Sequence, residues 1–189
     1  MKKILLIAAM AVMSFVAQAQ EFKFGYVDFN ELFMLMPEMD EARATIEENQ
    51  KVQMEMFEEM YKEYETKMQA YQQNNATWTP AVKEMKEKEI MDIQTRLEQT
   101  QQSFQQEIQQ LQQQLQAPIY AKAQETVQQL AKAKGLAVVF DKGTFLYLDP
   151  AQGVDLTLEA RTALNIPEGR TLETLQQELQ AKAQAAQAR

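Results

Sequence analysis

The chain has 189 residues, with 27 acidic against 19 basic side chains and a net charge of −8. It has no Cys and no His, which excludes disulfides, His/Cys zinc sites, Ser-His-Asp triads and Cys-His dyads. The acidic balance argues against nucleic acid as a partner, because phosphate binding draws on a surplus of Lys and Arg. Five Gly and five Pro are too few for a turn-rich all-β fold, and the abundant Gln and Met suit helices.

Residues 1–19 carry the three parts of a secretory signal peptide in order. Lys2 and Lys3 give a positive start, residues 4–16 are apolar and uncharged, and Ala17-Gln18-Ala19 is a small-x-small cleavage motif. The apolar run falls short of the ~20 residues a membrane-spanning helix needs. No Cys follows the expected cut, so no lipid anchor is implied, and no second apolar run follows. The reading is export, cleavage near Ala19 and no stable membrane insertion. Loss of Lys2 and Lys3 takes the charge from −8 to −10.

Residues 22–29 are rich in aromatics and read as a strand. A short apolar stretch, 31–36, leads into Pro37, a favoured first helical residue, with Glu38, Asp40 and Glu41 facing the positive end of the helix dipole. No Gly or Pro recurs before Pro80, so 37–73 reads as one helix, ~55 Å long. Asn74 to Pro80 is a turn, with Thr79-Pro80 opening a second helix that runs to about Lys134 and is closed by Gly135. Pro118 predicts a bend near 115–118, or two helices meeting there.

Residues 136–140 and 145–148 read as two strands around an Asp141–Thr144 turn, a β-hairpin. Asp155 is placed to cap a helix over 156–164. In the tail, 171–180 can form a helix with Leu172, Leu175 and Leu179 on one stripe, and 181–189 reads as frayed.

The two long helices are predicted to pack antiparallel. Leu97, Thr100, Phe104, Ile108, Leu111 and Leu115 step by 3, 4, 4, 3 and 4 residues, an eleven-residue pattern rather than a strict heptad. Phe57, Met60, Tyr64, Met68 and Tyr71 supply the facing stripe. Such a hairpin leaves most of its surface wet, so the stabilising core belongs to the strands and short helices, which are predicted to pair in a small sheet. A sheet that small, with this many aromatics, calls for cover from further copies of the chain.

With that order in place, the chain resembles the Skp/OmpH family of periplasmic chaperones. The matching segments are Phe24-Gly25-Tyr26-Val27-Asp28, the charged and Gln-rich helices, Lys134-Gly135-Leu136-Ala137-Val138-Val139-Phe140-Asp141, Leu146-Tyr147, and Asp155-Leu156-Thr157. The resemblance covers about 22–166. It implies a mainly α fold with a small β body and a long antiparallel helical hairpin arm, assembled as a jellyfish-like homotrimer. The body would be 20–36 with 135–166, the arm 37–134 with its tip at 74–80, and 167–189 an added tail. The implied function is that of an ATP-independent holdase in the periplasm, which keeps unfolded outer-membrane proteins from aggregating in a cavity between the arms. Catalytic residues, cofactors and metals are not implied. The chain departs from the family's basic members in charge: residues 37–75 hold ten acidic and four basic groups, whereas 80–134 hold seven of each.

Within that frame Met54, Met56, Tyr61 and Trp78 are candidate client-binding residues, since flexible Met and amphipathic aromatics suit varied partners, with packing on Tyr71 to close the tip the alternative, and favoured, role for Trp78. Phe24, Tyr26, Val27, Val138, Phe140, Leu146 and Leu148 are candidate oligomerisation residues. The competing reading is a structural coiled-coil adaptor or spacer of the cell envelope; a strict heptad through both helices would favour it, and none is present.

Overall fold

A computed structural model describes residues 23–187. The predicted signal peptide and the last two residues of the tail lie outside them. The chain is mainly helical, with one small sheet, and divides into two compact units: Leu35–Ala121, and the residues before and after that segment.

The sheet belongs to the second of these units. β1 (Phe24–Val27) is the central strand, with β2 (Val138–Asp141) on one side and β3 (Val154–Asp155) on the other, both parallel to it. Phe24 lies opposite Val138, Tyr26 opposite Phe140, and Gly25 opposite both Val139 and Val154. Gly25 leaves little room for a side chain there: a Cβ would sit 2.7 Å from Leu136 Cδ1 and 3.2 Å from the Val154 carbonyl oxygen. Parallel neighbours need a long crossover, and the helices between β1 and β2 supply it.

The predicted β-hairpin is not formed. Residues 145–148 are not a strand, and the third strand is the short β3, which two residues of sequence do not announce. The cause is local to Asp141. Its carboxylate accepts the Gly143 N–H (3.2 Å) and its carbonyl accepts the Thr144 hydroxyl (2.7 Å), winding Lys142–Thr144 into a 3₁₀ turn instead of a two-residue hairpin turn. Phe145 then stacks edge-on against Phe140, with ring centroids 5.3 Å apart, and Phe140 does the same to Phe24 at 6.0 Å.

Residues 31–36, predicted as a mere apolar connection, lie mostly in a helix, α1 (Phe29–Leu35). Asp28 caps it. Its carboxylate accepts the Glu31 N–H at 2.9 Å and its carbonyl accepts the Leu32 N–H at 3.1 Å. The Asp28 N–H donates to Thr157 Oγ1 at 3.1 Å, which ties the end of β1 to the start of α4 (Thr157–Ala163). As predicted, Asp155 caps that helix, accepting the Thr157 N–H at 2.8 Å.

Three further helix ends follow standard capping chemistry. Gly135, at φ +64°, closes the long helix, with Leu136 N–H donating to the Ala131 carbonyl. Asn165, at φ +56°, closes α4 in the same way, with Ile166 N–H donating to the Arg161 carbonyl. Thr171 and Thr174 exchange side-chain and backbone bonds at the start of α5 (Leu172–Gln187). That helix runs past residue 180, where fraying was predicted, because Ala and Gln are good helix formers. Tyr26, Val27, Leu32, Leu156, Leu164 and Ile166 form the buried core of this unit, and Leu175 of α5 is buried too.

The other unit is a helical hairpin of α2 (Pro37–Asn74) and α3 (Pro80–Ala133), with α3 continuing beyond it. Both begin at proline, as predicted. α3 is a continuous helix through Pro118 rather than two helices meeting there. Pro118 and Gln114 are both exposed, so the carbonyl that loses its N–H partner is left to water.

Candidate functional site

The two hairpin helices are held in register by polar bonds along their length. Gln53 Nε2 donates to Glu107 at 3.1 Å, Gln94 Nε2 to Tyr64 Oη at 2.9 Å, and Lys67 Nζ to Glu89 at 2.8 Å. Arg96 lies 3.6 Å from Glu63, and the Thr100 hydroxyl 3.9 Å from Met60 Sδ. The predicted stripes are only half-buried: all eleven residues keep some exposure. Full burial in this unit is confined to residues such as Met39, Ala42, Ile90, Ile93 and Ile119, plus one polar side chain, Gln53, at 8% exposure.

This partial packing leaves a groove of about 580 Å³ between the helices. Its apolar lining is Met54 and Phe57 of α2 with Phe104 and Ile108 of α3. The rest of the lining is entirely glutamine: Gln50, Gln53, Gln101, Gln105, Gln109 and Gln112. No charged side chain lines it, although α2 is the most acidic stretch of the chain. Sequence reasoning passed over these glutamines as generic helix surface. Their signal is the spacing, since Gln101, Gln105, Gln109 and Gln112 recur at 4, 4 and 3 residues and so share one helical face.

Of the residues singled out for binding, Met54 is 66% exposed and lines this groove. Tyr61 is 47% exposed and lines a smaller depression of about 330 Å³ with Phe57, Glu58, Lys62 and Glu65. Met56 is 50% exposed and lines neither. Trp78 lies at the tip, half-buried and edge-on to Tyr71, with ring centroids 5.8 Å apart.

Below the tip sits an electrostatic cluster. Glu89 accepts from both Lys67 and Lys86 (2.9 Å), and these hydrogen bonds hold its carboxyl below the usual carboxylate range. The bond to Glu89 raises Lys67 in turn. Tyr71 donates its hydroxyl to Glu87, which raises the phenol.

In the sheet unit, Tyr26 and Val27 are buried within the chain's own core, while Phe24, Val138 and Leu148 are half-buried. Leu146 is fully exposed, and Phe140, Tyr147, Val154 and Leu158 are exposed as well. Among the described residues, no group of three or more His, Cys, Asp or Glu is placed to hold a metal, and no helix is long and apolar enough to cross a membrane.

A half-packed helical hairpin with an open, uncharged groove is the geometry of a binding surface. The family model described as "Outer membrane protein (OmpH-like)" matches residues 23–164, so the chain belongs to that family. It is also 24% identical to the "Chaperone protein Skp" of Yersinia enterocolitica over 138 residues, 73% of this chain and 84% of that one. The match to the family model ends at residue 164, so α5 lies beyond it.

Proposed function

We propose that the protein is a periplasmic holdase that binds unfolded outer-membrane β-barrel proteins without ATP or any cofactor and prevents their aggregation. It is exported by its signal peptide, acts as a homotrimer, and has no catalytic role, nucleic-acid partner or membrane-inserted form. The observation that carries this reading is the hairpin itself. Two long helices pack too loosely to make a dry core, and leave Met54, Met56 and Tyr61 exposed in a family with a chaperone relative. Such side chains adapt to many sequences. Trp78 at the tip extends the surface.

The exposed apolar set of the sheet unit supports assembly. Leu146, Tyr147 and Leu158 stand open to solvent beside a sheet of three short strands, and further copies of the chain are the cover we assign to them. Light scattering of the purified protein is expected to give about three chain masses; a monomer or dimer at micromolar concentration overturns the trimer. A urea-denatured β-barrel membrane protein diluted into a stoichiometric amount of the protein should stay soluble with no nucleotide present. Precipitation as fast as in buffer alone refutes the holdase reading. Replacing Met54, Met56 and Tyr61 together by Ser is expected to weaken client affinity, and unchanged affinity removes them from the binding surface.

A further inference from the structure

The groove between α2 and α3 has a lining that a general hydrophobic trap does not need. Six of its ten lining residues are glutamines, and none is charged. A glutamine amide offers two donors and an acceptor, the complement of a peptide group. We propose that this groove holds an extended, uncharged stretch of client backbone, with the glutamine amides bonded to its N–H and C=O groups and alternate side chains laid on Phe57, Phe104 and Ile108. The proposal rests on the holdase reading for the identity of the client, and names the kind of segment that this one site selects.

Three observations support it. The first is size. From Gln101 to Gln112 the lining of α3 runs ~16 Å along the helix, which matches about five residues of extended chain at ~3.3 Å each. The second is preorganisation. Gln53 is nine-tenths buried, lines the groove, and its Nε2 is committed to Glu107, which fixes the amide. The third is charge. Residues 37–75 carry a net −6, yet the groove is neutral. An acidic client side chain entering it would shed water without gaining a cation, whereas a backbone segment finds amides for the groups it desolvates. Alternation of side chains in an extended strand then puts one set onto the apolar lining and the other into solvent.

The test uses the purified protein and an end-blocked eight-residue peptide of alternating leucine and serine, labelled for fluorescence anisotropy. Binding is expected to change less than about twofold between ~0.05 and ~0.5 M salt, because no ion pair is made. The same peptide with its leucine amides N-methylated should bind at least about tenfold more weakly. The triple variant Gln50→Met, Gln105→Met, Gln109→Met alters exposed positions with side chains of similar length and adds apolar surface. It should lose about tenfold in affinity for the unmethylated peptide. If the variant binds as well or better, or if N-methylation has no effect, the groove is merely apolar and the proposal fails. If affinity falls steeply with salt, charge governs binding and the proposal fails equally. Suppression of client aggregation, measured in parallel on the unaltered protein, keeps the two readings apart. Suppression with no amide dependence sinks the groove proposal alone; amide-dependent peptide binding without suppression sinks the holdase reading alone.

Discussion

Arg161 is the polar side chain through which the sheet unit ties its helices to the tail. It pairs with Glu31 of α1 and donates to the backbone carbonyls of Arg170 (2.6 Å) and Pro167 (3.2 Å), and its side chain is only 14% exposed. One guanidinium therefore joins α1, α4 and the turn that leads into α5. Replacing it by Ala removes three hydrogen bonds from a charged donor and leaves Glu31 and the Arg170 carbonyl partly buried without this partner. Hydrogen bonds to charged groups contribute about 1.5–3 kcal/mol each where water is excluded. Glu31 keeps 27% exposure and the Pro167 bond is open to solvent, so solvent screening and non-additivity reduce the total. We expect Arg161→Ala to cost about 3 kcal/mol in all. Arg161→Lys should recover less than half, because an ammonium cannot reach three separated acceptors with the guanidinium's fixed fork. Urea titration at one fixed protein concentration reads the stability, and hydrogen exchange locates the loss, which should concentrate in residues 165–187. An Arg161→Ala midpoint equal to that of the unaltered protein, with exchange in the tail unchanged, would refute the assignment.

Gly25→Ala places a methyl 2.7 Å from Leu136 Cδ1 beside the Val154 carbonyl, and should cost about 1–3 kcal/mol by overpacking. Gly135→Ala meets open space but keeps a positive φ, so its cost of about 1 kcal/mol is conformational; thermal melts of the two should separate them, and equal losses would count against the steric account. Glu89 is held below its usual range in the folded chain. Its contribution is thus complete above the ordinary carboxylate pKa and is lost as pH falls through the lowered folded value. Lys67, raised, contributes fully below its ordinary value of 10.5 and loses the contribution as pH climbs through the folded one. Glu89→Gln should flatten this cluster's share of the acid limb in urea midpoints measured across pH, and an unchanged pH profile refutes the cross-link. Trp78 is the only tryptophan, and ionisation of Tyr71 beside it should quench its fluorescence. The midpoint should lie above the ordinary tyrosine value of 10.0 and fall when Glu87→Met removes the acceptor; a midpoint unmoved by that substitution breaks the link.

The long helices were legible because each of their signals is local. Pro37 and Pro80 set the starts, the Asn74-Asn75 pair and Gly135 the ends, and no Gly or Pro interrupts residues 38–73. The sheet was legible only as composition. Phe145 to Leu148 carries strand residues, but strand pairing depends on which edge is within reach, and the side chain and carbonyl of Asp141 turn the chain before those residues can pair back. Val154 and Asp155 show the converse, since they pair because β1 offers an edge. α1 was missed although Asp28 and Glu31 stand in cap spacing ahead of an apolar run, a pattern the strand-like Phe24-Gly25-Tyr26-Val27 masked. At the candidate site, Met54, singled out for its chemistry, does line the groove. The glutamines were not, because a polar face is the commonest thing a helix has, and only the partner helix shows that this one borders a groove.

The energetics of the hairpin bear directly on what it can do. A surface that accepts many sequences cannot be shaped to any one of them, and adaptable contact requires that the host itself be deformable. In α2 and α3 the stripe residues remain half-exposed, and much of what holds the helices in register is a set of spaced polar bonds. Each such bond contributes little at a wet surface, so local separation of the helices costs far less than unfolding the sheet unit with its dry core. A client segment that enters the groove replaces water there and meets amides and methionines that can rotate to fit. A holdase of the proposed kind uses no covalent step or nucleotide, so release would need only that the client find a better burial elsewhere. Under the proposed holdase function, the same weakness that keeps the hairpin from being a core would let it bind without selecting one sequence and let go without a fuel.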